Sequence, residues 1–95
     1  MAAELANVVN EVANGAKVST GNRHGERGTG IHFYIDFPNG YRLSIVNAYG
    51  TYDTEVGLFD PSGEMEDTDI FGGDCVEGWV DEDRLKEIIV QVAAL

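Results

Sequence analysis

The cleanest pattern in the chain is the alternation over residues 31–37. Ile31, Phe33, Ile35 and Phe37 fall on one side, and His32, Tyr34 and Asp36 on the other. A period of two predicts a strand with one buried face. Pro38-Asn39-Gly40 then supplies a hairpin turn. Residues 41–49 continue as a second strand, with Leu43 and Ile45 facing the same core as Phe33 and Ile35. Residues 50–54 turn again, residues 55–59 form a third strand, and Pro61-Ser62-Gly63 ends it. Residues 16–20 fit a short strand. Residues 21–30 (GNRHGERGTG), with four glycines in ten positions, read as a loop. In residues 64–78 the apolar pairs Ile70-Phe71 and Cys75-Val76 stand between acidic and glycine positions, which leaves open a short edge strand or an ordered loop.

Helical spacing marks both ends. Leu5, Val8, Val9 and Val12 share one side of residues 3–14, and Gly15 stands where a C-cap glycine belongs. Near the other end, Val80 and Leu85 bracket Asp81 as a hydrophobic staple brackets an N-cap, and Glu82 and Asp83 complement the helix dipole. Leu85, Ile88, Ile89 and Val92 make the core stripe. The expected fold is α+β: a three- to four-stranded antiparallel sheet with N- and C-terminal helices packed on one face. It forms a single domain over residues 1–95, and the other face of the sheet is left to solvent.

An apolar content of 43% in 95 residues is enough for one core and separates the chain from disordered acidic sequences. Charge changes the picture most. Residues 1–52 carry four acidic and four basic side chains, so the net charge of −11 lies wholly in the second half. Between Arg42 and Arg84 there is no basic residue and there are twelve carboxylates, from Asp53 to Asp83. Such a field repels nucleic acid and membrane surfaces and attracts basic partners. Cys75 is the only cysteine, so no internal disulfide is possible. The start MAAELANVV lacks the charged n-region and apolar core of a signal peptide, and no apolar run approaches a membrane span. A cytoplasmic protein is the expectation.

Familiar chemistry is sparse. The loop with Arg23, His24 and Arg27 lacks the GK[ST] ending of a P-loop and runs into a strand, where a phosphate-binding loop requires a helix. Asp67, Asp69 and Gly72 match the first, third and sixth positions of a calcium loop. Phe71 then occupies the fifth, which needs a ligand oxygen, and Gly78 the twelfth, which needs a glutamate. Two isolated histidines make no metal set. No catalytic residue, metal or cofactor is predicted.

The candidate site is a partner-binding surface. Its carboxylates are Asp53, Glu55, Asp60, Glu64, Glu66, Asp67, Asp69, Asp74 and Glu77. Its amphipathic anchors are Tyr34, Tyr52 and Trp79, groups of the kind enriched in interfaces. Along an extended segment, residues i and i+2 lie about 6.6 Å apart on one face. Glu64 with Glu66, and Asp67 with Asp69, would then space charge comparably, within about a factor of two, to the phosphates of one DNA strand.

In size, net charge and helix–sheet–helix order the chain resembles the small acidic proteins that phages encode against host defence, including anti-CRISPR proteins and other DNA mimics. The segment FPNGYRLSIVNAYGTYDTEVGLFDPSGE, residues 37–64, is similar to short phage proteins. The resemblance implies a non-enzymatic inhibitor acting in the host cytoplasm. Its partner would be a basic nucleic-acid-binding protein, such as a CRISPR effector of the Cas9 or Cascade type, contacted at the arginine-lined site that reads the PAM duplex. It implies no direct binding of nucleic acid or membrane. The basic stretch Arg23 to Arg27 departs from that pattern. An acidic adaptor or immunity-type module, masking a basic partner without imitating nucleic acid, fits the same charge. An enzyme or small-ligand protein built on the glycine-rich segment would need a pocket near Arg23, His24 and Arg27.

Overall fold

A computed structural model describes residues 7, 9–11, 15–25, 28–47 and 54–95, with the backbone alone for 20–25, 28–31 and 47. The fold is α+β. Five strands run as an antiparallel meander in chain order: β1 (Lys17–Gly25), β2 (Gly28–Asp36), β3 (Arg42–Asn47), β4 (Thr54–Phe59) and β5 (Val76–Glu77). One helix, α1 (Glu82–Ala93), closes the chain, and residues 7 and 9–11 are helical near the start. Among the described residues no helix is long and apolar enough to cross a membrane.

The alternation in β2 sets the register. Phe33 pairs with Ile45 and Ile35 with Leu43, so these four share one face, and Val56 and Leu58 of β4 extend it. All six are buried, together with Ile88, Ile89 and Val92 of α1 and Val9 of the N-terminal helical stretch. Burial of this apolar surface, at about 25 cal/mol per Å², is the main stabilising term. The turn after β2 is tied to the helix: Asn39 Nδ2 donates to the Val92 carbonyl at 2.8 Å, while its Oδ1 accepts from Tyr41 N at 3.0 Å.

The sheet has five strands where the sequence predicted three or four, and its first hairpin is longer than predicted. The glycine-rich segment is not a loop. Residues 21–25 prolong β1 and residues 28–30 prolong β2, pairing Gly21 with His32 through to Gly25 with Gly28. Glycine weakens a strand but does not forbid the ladder hydrogen bonds, and the long β2 template supplies them. Residues 64–78 then provide a split partner for β4. Phe59 bridges Met65, Glu66 N donates to the Leu58 carbonyl at 3.0 Å, and Val56 and Gly57 pair with Glu77 and Val76.

Between these two contacts the chain leaves the sheet over residues 67–74. A Thr68–Asp74 bridge closes the excursion, and a single 3-10 turn, Asp69–Phe71, shapes it. Thr68 caps that turn by accepting from Ile70 N at 3.2 Å. Gly72 and Gly73 follow at φ 70° and 95°, in the left-handed region that favours glycine. Phe71 is buried and pins the excursion to the core.

The staple and cap at α1 are as the sequence predicts. Asp81 accepts from Arg84 N at 2.8 Å, and Val80 and Leu85 are both buried.

Candidate partner-binding surface

The predicted site residues separate into three groups. Tyr52 and Asp53 lie outside the described residues. A second group is engaged inside the fold. Glu77 pairs with Val56 and so shares the helix-side face, where both its oxygens receive Arg84, at 2.7 Å from Nε and 2.8 Å from Nη2. That contact holds the Glu77 carboxyl below the usual carboxylate range. Asp60 organises the turn after β4. Its Oδ1 accepts from Ser62 N at 2.8 Å, from Glu64 N at 3.1 Å and from the Ser62 hydroxyl, and these bonds likewise keep it ionised. Glu66 is half-buried beside Tyr41, whose phenol is pushed up by burial and by the Glu66 and Asp60 carboxylates.

The third group is exposed. Glu55, Glu64, Asp67, Asp69 and Asp74 face solvent, and Asp81, Glu82 and Asp83 continue the acidity at the start of α1. Among the described residues none of these is in an ion pair. The extended ladder expected from i, i+2 spacing is not formed past Glu66. Asp67 and Asp69 stand on a compact excursion, and the 3-10 turn breaks the strand geometry that the spacing required. Asp67 instead comes near Asp74 and Cys75, with their ligand-type atoms within 4.8 Å of one another. Burial and the Asp74 carboxylate push the Cys75 thiol up, which disfavours the thiolate.

Trp79 is the most informative member of the set. It is 73% exposed and holds φ 56°, and among the described residues no other non-glycine has a positive φ. A bulky side chain in that region is held at a cost of about 1–3 kcal/mol. The neighbours explain how. Val80 N donates to the Thr54 carbonyl at 3.0 Å, Val80 is buried, and Asp81 caps α1 one residue later. The chain must pass from the sheet edge to the helix within a few residues, and the left-handed step at Trp79 turns Val80 inward while the indole stays outside. Exposed carboxylates flank it at Asp74 and Asp81–Asp83, and Glu55 adjoins the strand residue bonded to Val80.

The open face of the sheet carries Tyr34. Its ring stacks on His32 with centroids 4.3 Å apart, and the Arg42 guanidinium lies over it at 4.6 Å. Arg42 in turn forks onto Asp36, at 2.6 and 3.1 Å. His32 Nε2 and Ser44 Oγ share a hydrogen bond of 2.6 Å, and Ser44 is buried at the centre of this face. The alternation in residues 31–37 already placed His32, Tyr34 and Asp36 on this face, and the pairing of β2 with β3 adds Ser44 opposite Tyr34 and Arg42 opposite Asp36.

Comparison with known proteins gives no match: no family model, no curated protein and no solved structure matches this chain. The functional reading therefore rests on the residues themselves.

Proposed function

We propose that this chain is a non-enzymatic inhibitor that occupies a basic, nucleic-acid-binding groove of a partner, with its carboxylates standing in for phosphates. The host-defence effector implied by the phage-protein resemblance is the kind of partner intended. The carrying observation is the exposed Trp79, held in a strained backbone and flanked by carboxylates that pair with no cation among the described residues. Large aromatics exposed beside complementary charge are the usual anchors of interfaces. The carboxylates steer a basic partner, and the indole supplies the apolar contact that charge alone lacks.

A second reading has one observation in its favour. Asp67, Asp69 and Asp74 sit on a compact excursion, which suits point-wise docking by an adaptor as well as imitation of a regular phosphate ladder.

Competition separates the two. The immobilised parent is expected to capture a nucleic-acid-handling protein, to release it on addition of duplex DNA or guide RNA, and to lose it steeply with salt. Combining Glu64→Gln, Asp67→Asn, Asp69→Asn and Asp74→Asn should weaken capture about tenfold or more, at the strength of several exposed charge contacts. Trp79→Gly should also weaken it while leaving the fold intact, because glycine accepts the positive φ. Capture unaffected by both variants would sink the proposal. Capture that nucleic acid cannot compete away would favour the adaptor.

A further inference from the structure

The open face of the sheet also carries a pocket that the sequence did not foreshadow. It is a depression open to solvent on one side, with a volume of about 410 Å³, ample for one long side chain. Tyr34, Arg42 and Phe59 line it from three adjacent strands, and Asp36 and Asp60 contribute carboxylates. Two turns close one end. Gly40 stands so near Pro61 that a Cβ there would come within 3.1 Å of the proline ring, and Gly40 also holds φ 92°. The hairpin turn and the turn after β4 therefore brace each other, and the pocket is formed before anything enters it.

The charges inside are unevenly satisfied. Arg42 already has both Asp36 oxygens and the Tyr34 ring. Asp60 is different. Among the described residues its carboxylate is bonded only from within its own turn, by Ser62, Gly63 and Glu64, and pairs with no cation. An anion entering here would meet Asp60 while the local cation is already neutralised. A cation would meet a fixed carboxylate beside an aromatic ring. Arg42 over Tyr34, forked onto Asp36, shows the same combination of guanidinium, ring and carboxylate on this very face.

We propose that this pocket receives an arginine side chain of the basic partner, with the guanidinium against Phe59 and Asp60. Arginine is preferred to lysine because its flat, weakly hydrated head stacks on aromatic rings. This names a contact within the function proposed above and rests on that reading.

The test titrates the full ¹⁵N-labelled chain with a capped Gly-Arg-Gly peptide, with citrulline and lysine peptides as controls. Arginine-specific amide shifts are expected at Gly40, Arg42, Asp60 and Gly63. Asp60→Asn keeps the oxygen that organises the turn and removes the charge, so the spectrum should persist while affinity falls about threefold, as for one exposed charge contact. Equal shifts with citrulline, tighter binding of lysine, shifts confined to residues 64–74, or unchanged affinity in Asp60→Asn would each overturn the pocket assignment. Failure here with capture by the acidic surface intact refutes the pocket and leaves the groove reading standing. Arginine-specific shifts from a chain that captures nothing uphold the pocket and remove the groove.

Discussion

Two arginines fork onto two carboxylates in this protein, and the regions they hold behave differently. Arg42 and Asp36 lie directly across from each other on β3 and β2, with side chains 46% and 44% exposed. Their strands are already fixed by core residues on the opposite face, so the pair adds to a sheet that would form without it. Arg84 and Glu77 are 29% and 27% exposed, and they belong to different elements, α1 and β5. Arg84 Nη2 also donates to the Ile70 carbonyl at 2.6 Å, so one side chain on α1 holds both β5 and the 3-10 turn of the excursion. Similar fork geometry thus decorates a surface in one region and joins three elements in the other. An ion pair matters to stability in proportion to what it alone connects and how little water reaches it.

Removing each arginine tests that contrast. Arg84→Met keeps most of the aliphatic stem but leaves Glu77 and the Ile70 carbonyl without their donor. We expect a loss of about 2 kcal/mol in urea unfolding, between the values for buried and surface pairs. Hydrogen exchange should rise selectively over residues 67–77. A uniform rise across the sheet would show that the excursion is not held by this contact.

The pH dependence sharpens the same point with a smaller effect. The Glu77 carboxyl is depressed chiefly by its hydrogen bond from Arg84. Its contribution is therefore full above the unfolded-state value, near pH 4.3, and is lost as pH falls through the folded value. Relief of repulsion among the other carboxylates acts in the opposite direction. The quantity to measure is therefore the stability difference between parent and Arg84→Met. It should shrink below about pH 4, and a difference that stays constant to pH 3 would contradict the linkage.

The smallest effect is expected from Arg42→Met, about 0–1 kcal/mol as for exposed pairs, with sheet exchange unchanged. A loss as large as that of Arg84→Met would erase the distinction between the two regions.

Much of the fold was legible along the chain because it depends on local periodicity. Alternation in residues 31–37, the Pro38-Asn39-Gly40 turn and the Val80-Asp81-Leu85 staple each encode their geometry within a few residues. The length of the first hairpin was not legible, because the glycines that argued for a loop lie against a long template strand. The candidate site was half legible. Exposure of Asp67, Asp69 and Asp74 follows the charge and composition of their segment. The engagement of Glu77 and Asp60 within the fold does not, since both look like their neighbours in sequence.

The sequence by itself determined the strand faces, the closing helix and a one-sided acidic field, all consequences of residue type at short spacing. Only the tertiary structure decided which carboxylates remain available and which arginine joins distant elements. It alone split the partner of β4 around residues 67–74 and turned Trp79 outward. The reason is physical: pairing and burial of a charge depend on neighbours from other elements, and no local pattern records where those neighbours come to lie.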